Sequence, residues 1–322
     1  MNIAFLFPGQ GAQYPGMARD LHEHSQAVRL LFEEASDAAG SDLVRLLFEG
    51  SDEELKQTDN TQIAITLANL AARAVLHEFG ISSSMSAGFS LGEYAALVDT
   101  GVLSIADAVR LTMHRGQIME RVSRSLDSVA GAAGMAASMG KDLPEVEAIL
   151  ADAGVEEVYP SLYNSPIQTV VGGTASGLSA AADALKAGGV RRVIPLKVSG
   201  PFHTPLMQPA RDDFAGHVAD VSFSDPAHPL FSNVTGERVE TGSAMRNLCL
   251  DQLIRTVRWT TEERALHSAG ADLLLEVGPG SVLQGLWKAV GKVDGEWPTE
   301  RVRPAGSLED IQALAREVAD AG

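Results

Sequence analysis

A single serine lies between two glycines in the stretch GFSLGEYAAL, which covers residues 88–97. The pattern from Gly88 to Gly92 is G-x-S-x-G, with an apolar run that predicts a strand before it and a helical run after it. On such a sharp turn a Cβ at the flanking positions would clash, and the serine hydroxyl stands clear of the sheet. The pattern predicts that Ser90 is a nucleophile and that the Leu91 N–H stabilises an oxyanion, while a simple bend is the alternative.

A serine nucleophile needs a base, and His203 is the best placed of the eight histidines. Six of the others lie in helical patterns, and His228 lies in a loop between prolines. His203 instead follows a predicted strand in VSGPFHTPLM, where Gly200, Pro201 and Pro205 shape the backbone. A neutral imidazole accepts a proton near neutral pH, so His203 is the candidate base. Packing within a loop is the alternative explanation for it.

A glycine-rich loop, PGQGAQ at residues 8–13, follows the first predicted strand. It lacks the G-x-x-x-x-G-K-[ST] pattern, and Gly9 and Gly11 are not followed by the spacing of a dinucleotide site. A nucleotide-binding function is therefore disfavoured. The loop is better suited to supply a second oxyanion N–H beside Ser90.

Charge and cysteine content exclude several function classes. The 322 residues carry a formal net charge of −17, which argues against binding to nucleic acid or to an anionic membrane. The single cysteine, Cys249, excludes an internal disulfide and a multi-cysteine metal site, and we expect no metal. No basic segment precedes the N-terminal apolar run, which ends at Pro8, and no stretch reaches membrane-spanning length. We therefore expect a soluble, cytoplasmic protein.

Strands alternate with helices along most of the chain, which predicts a largely parallel sheet with helices on both faces. The predicted strands near the motifs are Ile3–Phe7 and Met85–Phe89, and the predicted helices there are Thr61–Phe79, Leu91–Thr100 and Ile105–Arg124.

The middle of the chain has the order β-α-β-β-α-β, which is typical of a ferredoxin-like unit. We therefore predict an α/β fold with a hydrolase-like, mostly parallel sheet, flanking helices and an inserted ferredoxin-like subdomain. Residues 1–124 and 198–322 would form a large discontinuous catalytic subdomain, and residues 125–197 the small one.

Several motifs along the chain agree in order and separation with one family. They are FPGQGAQ, GFSLGEYAAL, HRG at 114–116, NSP at 164–166, GPFHTPLM, SNVTGE, QLIRTVRWT and EVGPGSVLQGL. The set resembles the malonyl-CoA:acyl carrier protein transacylases, and more broadly the acyltransferase domains of fatty-acid and polyketide synthases. The resemblance extends over nearly the whole chain, including the predicted ferredoxin-like subdomain.

The resemblance implies roles for residues in these motifs. Ser90 would match the family nucleophile and His203 its base. Gln252 would match the glutamine whose backbone carbonyl orients the histidine, which explains why no triad aspartate is evident. The backbone N–H groups of Gln10 and Leu91 would form the oxyanion hole.

The resemblance also implies a residue that binds the substrate carboxylate. Arg115 would bind the malonyl carboxylate, and Asn164 would line the cleft. A buried guanidinium binds a carboxylate through two hydrogen bonds and would be left unpaired by an acetyl group. An exposed position on the Ile105–Arg124 helix is the alternative for Arg115.

Two phenylalanines near the motifs bear on specificity. The family most often has histidine where this chain has Phe89, and we expect the Phe89 side chain to project away from the reacting side. Phe202 precedes the base, and bulk at that position in the family accompanies malonyl rather than branched extender units. Steric exclusion of an α-methyl group would explain this preference.

The implied reaction is a two-step transfer of a malonyl group from malonyl-CoA to the phosphopantetheine thiol of acyl carrier protein, for fatty-acid synthesis. It implies a malonyl-serine intermediate, no cofactor and, we expect, a monomer. The basic residues Arg191, Arg192 and Lys197 are candidates for docking an acidic carrier. The alternatives are a stand-alone polyketide acyltransferase, an acyl hydrolase on the same fold, against which Arg115 argues, and a non-catalytic scaffold.

Overall fold

Ten strands form two sheets in the computed structural model, which describes residues 1–295 and 297–321. Their bounds are β1 (Ile3–Phe7), β2 (Met85–Gly88), β3 (Gly134–Met139), β4 (Val158–Ser165), β5 (Gln168–Gly173), β6 (Arg192–Pro195), β7 (Leu230–Phe231), β8 (Arg238–Val239), β9 (Leu273–Glu276) and β10 (Val302–Pro304). The larger sheet has the order β10-β9-β1-β2-β7-β8, and the smaller one has the order β4-β5-β3-β6.

Fourteen α-helices surround these sheets in the same part of the chain. Their bounds are α1 (Arg19–His24), α2 (Gln26–Ala39), α3 (Leu43–Glu49), α4 (Asp52–Lys56), α5 (Thr58–Glu78), α6 (Glu93–Asp99), α7 (Ile105–Ser125), α8 (Leu143–Asp152), α9 (Ala175–Ala187), α10 (Gln208–Ala219), α11 (Gly242–Asp251), α12 (Trp259–Ser268), α13 (Val282–Asp294) and α14 (Leu308–Ala321). Among the described residues, none of the helices has the length and apolar character that crossing a membrane requires.

The larger sheet is mostly parallel, as the alternation of strands and helices predicts. β1 pairs in parallel with β2 on one side and with β9 on the other, and β8 runs antiparallel to β7 at one edge. Phe5 and Phe7 of β1 belong to one hydrophobic cluster, and Ala4 and Leu6 belong to another. Both faces of the strand are thus buried, which is typical of a parallel sheet covered by helices. The predicted fold class is confirmed.

The smaller sheet belongs to the unit β3-α8-β4-β5-α9-β6, and its pairs are antiparallel. Its strand order is that of a ferredoxin-like unit, which is also as predicted. Val146, Val171 and Leu185 form part of a separate hydrophobic cluster between the sheet and its two helices. The unit lies within the predicted range 125–197, whose limits, like those of the large subdomain, stay predictions.

Backbone hydrogen bonds join the smaller sheet to the rest of the protein beside the candidate base. The Tyr163 N–H donates to the Val257 carbonyl at 2.8 Å, and the Val257 N–H donates to the Ser161 carbonyl at 2.9 Å. The Ser161 hydroxyl also donates to the Phe202 carbonyl at 2.7 Å. β4 therefore fixes the backbone immediately before His203.

The turn after β2 requires both of its glycines. A Cβ on Gly88 would lie 2.2 Å from the backbone of Gly92, and a Cβ on Gly92 would lie 1.9 Å from the Phe7 carbonyl oxygen. The chain passes so close to β1 that it first forms a narrow 3₁₀ turn, Ser90–Gly92, and only then begins α6. The single helix predicted over Leu91–Thr100 is therefore divided in two.

Candidate active site

Ser90 and His203 are in hydrogen-bond contact at the end of β2. The Ser90 hydroxyl lies 2.7 Å from His203 Nε2. Both residues lie in the left-handed backbone region, with φ of 52° for Ser90 and 59° for His203. Residues other than glycine rarely adopt this conformation, and they keep it where the surrounding structure holds them for function. The structure thus brings together the two residues that the sequence pairs as nucleophile and base.

A backbone carbonyl sets the tautomer of His203. Nδ1 lies 2.6 Å from the carbonyl oxygen of Gln252, which can only accept a hydrogen bond, so Nδ1 carries the proton. Nε2 then directs its lone pair at the Ser90 hydroxyl and accepts from it. Gln252 therefore lies where the aspartate of a Ser-His-Asp triad lies relative to its histidine.

Burial keeps the imidazole of His203 neutral. The side chain lies almost entirely out of water, and burial, followed by the positive charge of Arg115, lowers the pKa of His203 to about 3. The hydrogen bond to the Gln252 carbonyl opposes this shift. Because the neutral form accepts a proton, His203 is available as a base across the neutral pH range.

Asn233, just after β7, holds the backbone of the nucleophile turn. Its Oδ1 accepts from the Ser90 N–H at 2.6 Å, and its Nδ2 donates to the Gly88 carbonyl at 2.7 Å. The same Nδ2 donates to Glu262 at 2.8 Å, and Asn233 is fully buried. One side chain therefore ties both sides of the turn and supports the positive φ of Ser90.

Arg115 is buried on α7, with an exposed fraction of 1%. One terminal nitrogen donates to Gln62 Oε1 at 2.8 Å and the other to Gln252 Oε1 at 3.0 Å. Among the described residues Nε finds no partner, and the guanidinium carbon lies 5.8 Å from the centre of the Tyr94 ring. Burial lowers the pKa of Arg115, but a guanidinium remains charged in proteins. The exposed position considered for Arg115 is therefore wrong, and the site contains a buried cation held by neutral amides.

Gln252 connects the nucleophile, the base and the cation. Its carbonyl binds His203, and its side-chain oxygen binds Arg115. Its side-chain nitrogen donates to the Ser90 carbonyl at 3.0 Å and to Glu93 at 2.5 Å. One buried residue thereby positions the three groups that the sequence assigns to the reaction.

A largely apolar cavity of about 110 Å³ lies against Ser90 and His203. The residues that line it are Gln10, Phe89, Ser90, Met135, Leu162, Leu196, Val198, Phe202 and His203. The PGQG loop thus reaches the nucleophile through Gln10, and Phe202 borders the reacting groups. The assignment of the Gln10 and Leu91 N–H groups to an oxyanion hole stays a prediction.

Four predicted site residues, Leu91, Arg115, Gln252 and Asn164, do not line this cavity. Arg115 and Gln252 belong to the hydrogen-bond network behind the reacting pair, whereas Asn164 does not. It lies on β4, and its Nδ2 donates to Gln168 Oε1 at 3.2 Å across the β4–β5 hairpin. The strand pairing shifts register between Tyr163 and Ser165, so simple alternation does not give the direction of the side chains. The structure places Asn164 in the hairpin and Leu162 in the cavity wall.

Phe89 is one of the residues that line the cavity, and the expectation that its side chain projects away from the reacting side stays a prediction. Its ring packs edge-on against Trp259, with ring centres 5.4 Å apart. Its carbonyl oxygen lies against Gly9, where a Cβ would approach it to 2.3 Å. The PGQG loop therefore packs directly against this turn.

Three polar residues of the site's hydrogen-bond network are not identified from the sequence: Gln62, Glu93 and Asn233. Glu93 and Asn233 lie within recognised motifs, but their partners are contributed by distant segments that no spacing rule connects. Gln62 offers a clearer signal, because it lies in the helical run TQIAITLANL, whose other residues are apolar apart from two threonines and one asparagine. A buried amide needs a hydrogen-bond partner, so a glutamine in such a run indicates a polar contact.

Comparison with known proteins identifies the family. The acyl transferase domain family matches residues 4–315. The chain belongs to this family. A malonyl CoA-acyl carrier protein transacylase of Bacillus subtilis (strain 168) is 38% identical to this acyl transferase over 293 residues, which cover 90% of each protein.

Solved structures of other family members have the same fold. A malonyl CoA-acyl carrier protein transacylase from Clostridium perfringens superposes with a TM-score of 0.92 at 30% identity, covering 100% of this chain and 98% of that one. A malonyl-transacylase in complex with its type II PKS acyl-carrier protein gives a TM-score of 0.89 at 34% identity, over 98% and 100% of the two chains. The family that the motifs indicate is thereby confirmed.

The neutral state of His203 predicts an unusual pH profile for this acyl transferase. A base whose pKa is lowered stays active as pH falls, so the reactivity of Ser90 should persist through pH 6.5, the ordinary pKa of histidine. The measurement is the rate of Ser90 modification by a small sulfonyl fluoride, followed by intact mass from about pH 5 to about pH 8.

His203→Ala serves as the control for this profile, and it should slow the modification by about 10²- to 10⁴-fold. Circular dichroism at each pH verifies that the protein stays folded. A loss of Ser90 reactivity in folded protein with its midpoint near the ordinary histidine pKa would contradict the account.

Proposed function

We propose that this chain transfers a malonyl group from malonyl-CoA to the phosphopantetheine thiol of an acyl carrier protein, through a malonyl ester of Ser90. The observation that carries the proposal is the link from the Ser90–His203 pair to the buried Arg115 through Gln252. A nucleophile connected through one residue to a buried cation suits an acyl group with a free carboxylate. The names of the related transacylases support the same substrate.

In the first half-reaction, the Ser90 oxygen attacks the thioester carbon while Nε2 of His203 takes the hydroxyl proton. The N–H groups of Gln10 and Leu91 stabilise the oxyanion. The carbon–sulfur bond then breaks, and the proton on His203 passes to the departing CoA sulfur. The Gln252 carbonyl keeps Nδ1 protonated throughout and stabilises the imidazolium.

The second half-reaction reverses these roles. The carrier's phosphopantetheine thiol gives its proton to His203, and its sulfur attacks the malonyl ester. The ester carbon–oxygen bond breaks, and the proton returns to the Ser90 oxygen. The apolar cavity walls formed by Phe89, Leu162 and Phe202 disfavour water beside the ester, which favours transfer over hydrolysis.

The buried cation supports selection of malonyl over acetyl groups. Arg115 has neutral partners at both terminal nitrogens, so a malonyl carboxylate would give it a direct ionic partner. A carboxylate there also offsets the repulsion that lowers the pKa of His203, and so favours the imidazolium formed during transfer. An acetyl group provides neither effect.

A basic, partly apolar edge of the smaller sheet suits a negatively charged carrier. Arg191, Arg192 and Lys197 are all exposed at or beside β6, which is an edge strand. Ile194, on the same strand, is also exposed. We propose that the carrier docks here, with its phosphopantetheine arm directed to the cavity that Leu196 and Val198 line.

Acylation of Ser90 tests the proposed function directly. Intact-protein mass spectrometry after mixing with malonyl-CoA should detect one malonyl adduct on the native protein and none on Ser90→Ala. The adduct should be discharged by the thiol of a carrier protein faster than by water. An adduct that persists in Ser90→Ala, or discharge by water at the same rate as by the carrier, would contradict the transferase.

Charge reversal at the edge of β6 tests the docking surface. Arg191→Glu, Arg192→Glu and Lys197→Glu together should slow discharge by the carrier about tenfold, most strongly at low salt. Discharge by free pantetheine, which has the thiol but no protein, should be unchanged. The matched control is Lys288→Glu with Lys292→Glu, two exposed lysines on α13 that lie outside β6 and its flanking residues. Equal effects of the two sets of substitutions would exclude this surface.

A further inference from the structure

A fully buried acid, Glu93, lies in the polar network behind the nucleophile. It has no role in the two half-reactions proposed above. It is the first residue of α6. Its carboxylate accepts from the Asn233 N–H at 2.8 Å and from Gln252 Nε2 at 2.5 Å. Burying an ionisable group is costly, so its partners and its protonation state need a physical explanation.

The amide of Gln252 joins this acid to the buried cation. Gln252 donates to Glu93 through Nε2 and accepts from Arg115 through Oε1 at 3.0 Å. Among the described residues Arg115 forms no direct ion pair, so its nearest compensation within this network comes from Glu93 across one amide. The carboxylate also fixes which end of the Gln252 amide faces Arg115.

We propose that Glu93 is a positioning residue that orients Gln252 toward Arg115 and that takes up a proton when the substrate carboxylate binds Arg115. This inference rests on the proposed function, because it requires an acyl group with a carboxylate at that arginine.

Charge balance in the buried site explains why a proton should be taken up. Without substrate, one positive charge on Arg115 and one negative charge on Glu93 compensate each other. A bound carboxylate adds a second negative charge, and an excess charge in a region of low dielectric is strongly unfavourable. Protonation of Glu93 restores the balance without moving any side chain away from Arg115.

The other titratable groups that face Glu93 are less suited to take the proton. Tyr94 and Cys249 are buried and have pKa values raised well above their ordinary ranges, so they are already neutral. Burial and the charge of Glu93 raise the pKa of Glu262 well above its ordinary value, and Glu262 contacts Asn233 and not Gln252. His203, at the other end of Gln252, is the remaining candidate, and the experiment below separates it from Glu93.

The pKa of Glu93 supports the assignment. Burial raises it to about 7, while the Asn233 N–H and then the Arg115 charge hold it from rising further. A group with this pKa is largely ionised above neutral pH when Arg115 alone faces it. When a substrate carboxylate pairs with Arg115, the arginine stabilises the Glu93 carboxylate less. The pKa of Glu93 then rises further, and Glu93 takes up a proton.

Calorimetry on Ser90→Ala, which binds substrate without being acylated, measures the uptake. Malonyl-CoA is titrated at about pH 7.5 in buffers of different ionisation enthalpy, and the buffer dependence gives the number of protons bound. We expect an uptake approaching one proton with malonyl-CoA, less at about pH 6 where Glu93 is already protonated, and none with acetyl-CoA. No carboxylate-dependent uptake in this protein would overturn the inference, whether or not any Glu93 variant folds.

Two further variants, each combined with Ser90→Ala, assign the proton to a residue. Glu93→Gln should abolish the proton uptake. Glu262→Gln should leave the proton uptake unchanged, because Glu262 contacts Asn233 but not Gln252. Unchanged uptake in Glu93→Gln would assign the proton to His203 or another group and overturn the inference.

The pH dependence of turnover gives a second readout that a merely structural role would not change. With Ser90 intact, the KM for malonyl-CoA should rise by up to about tenfold per pH unit above pH 7, and Glu93→Gln should remove this slope. Equal slopes in the two proteins would overturn the inference.

The proposed function can fail separately from this inference. Absence of the malonyl adduct on native Ser90 refutes the function. An adduct that forms normally, together with no proton uptake in Ser90→Ala, refutes only the role of Glu93.

Discussion

The site depends on the burial of the Arg115 guanidinium, which has no carboxylate in direct contact among the residues that the structure describes. Removing Arg115 from water is costly, and two amide oxygens and an aromatic ring offset that cost only in part. One of those amides belongs to Gln252, whose backbone carbonyl also orients His203. Gln252 thus binds the cation and also fixes the orientation of His203, which in turn contacts the nucleophile Ser90. An anionic acyl group would give this guanidinium a direct ionic partner.

Backbone strain at the nucleophile and at the base is supported by close packing from several directions. Positive φ at Ser90 and His203 would relax if their neighbours could move. Asn233 forms hydrogen bonds to the backbone on both sides of the Ser90 turn. Ser161 of β4 forms a hydrogen bond to Phe202, the residue before His203. The smaller sheet thus contributes to the geometry of the base as well as to the cavity wall. The family fold places rigid elements on both sides of the reacting pair, which favours a preorganised site.

The sequence predicts best what local signals determine. The predicted limits of β1 and β2 agree with the observed limits to within one residue, because each short apolar run ends near a proline or a glycine. The sequence does not reveal the register shift of the β4–β5 pairing beside Asn164, and β8 and β10 are too short to show any period. The C-terminal helix α14 has a detectable start, since the Ser307 side chain accepts from the Asp310 N–H, but this signal is easily overlooked. The network of Gln62, Glu93 and Asn233 depends on tertiary contacts, which local patterns do not contain.

The measurement that tests the central claim most directly is the rate of Ser90 acylation by malonyl-CoA and by acetyl-CoA in Arg115→Ala. Loss of the cation should reduce the malonyl rate by on the order of 10³-fold and leave the acetyl rate unchanged or higher, so that the preference for malonyl disappears. Arg121→Ala, an exposed position on the same helix, should keep the native preference and serves as the control. Equal losses with both thioesters in Arg115→Ala would contradict the account, because the arginine would then support the fold of the site without selecting the carboxylate.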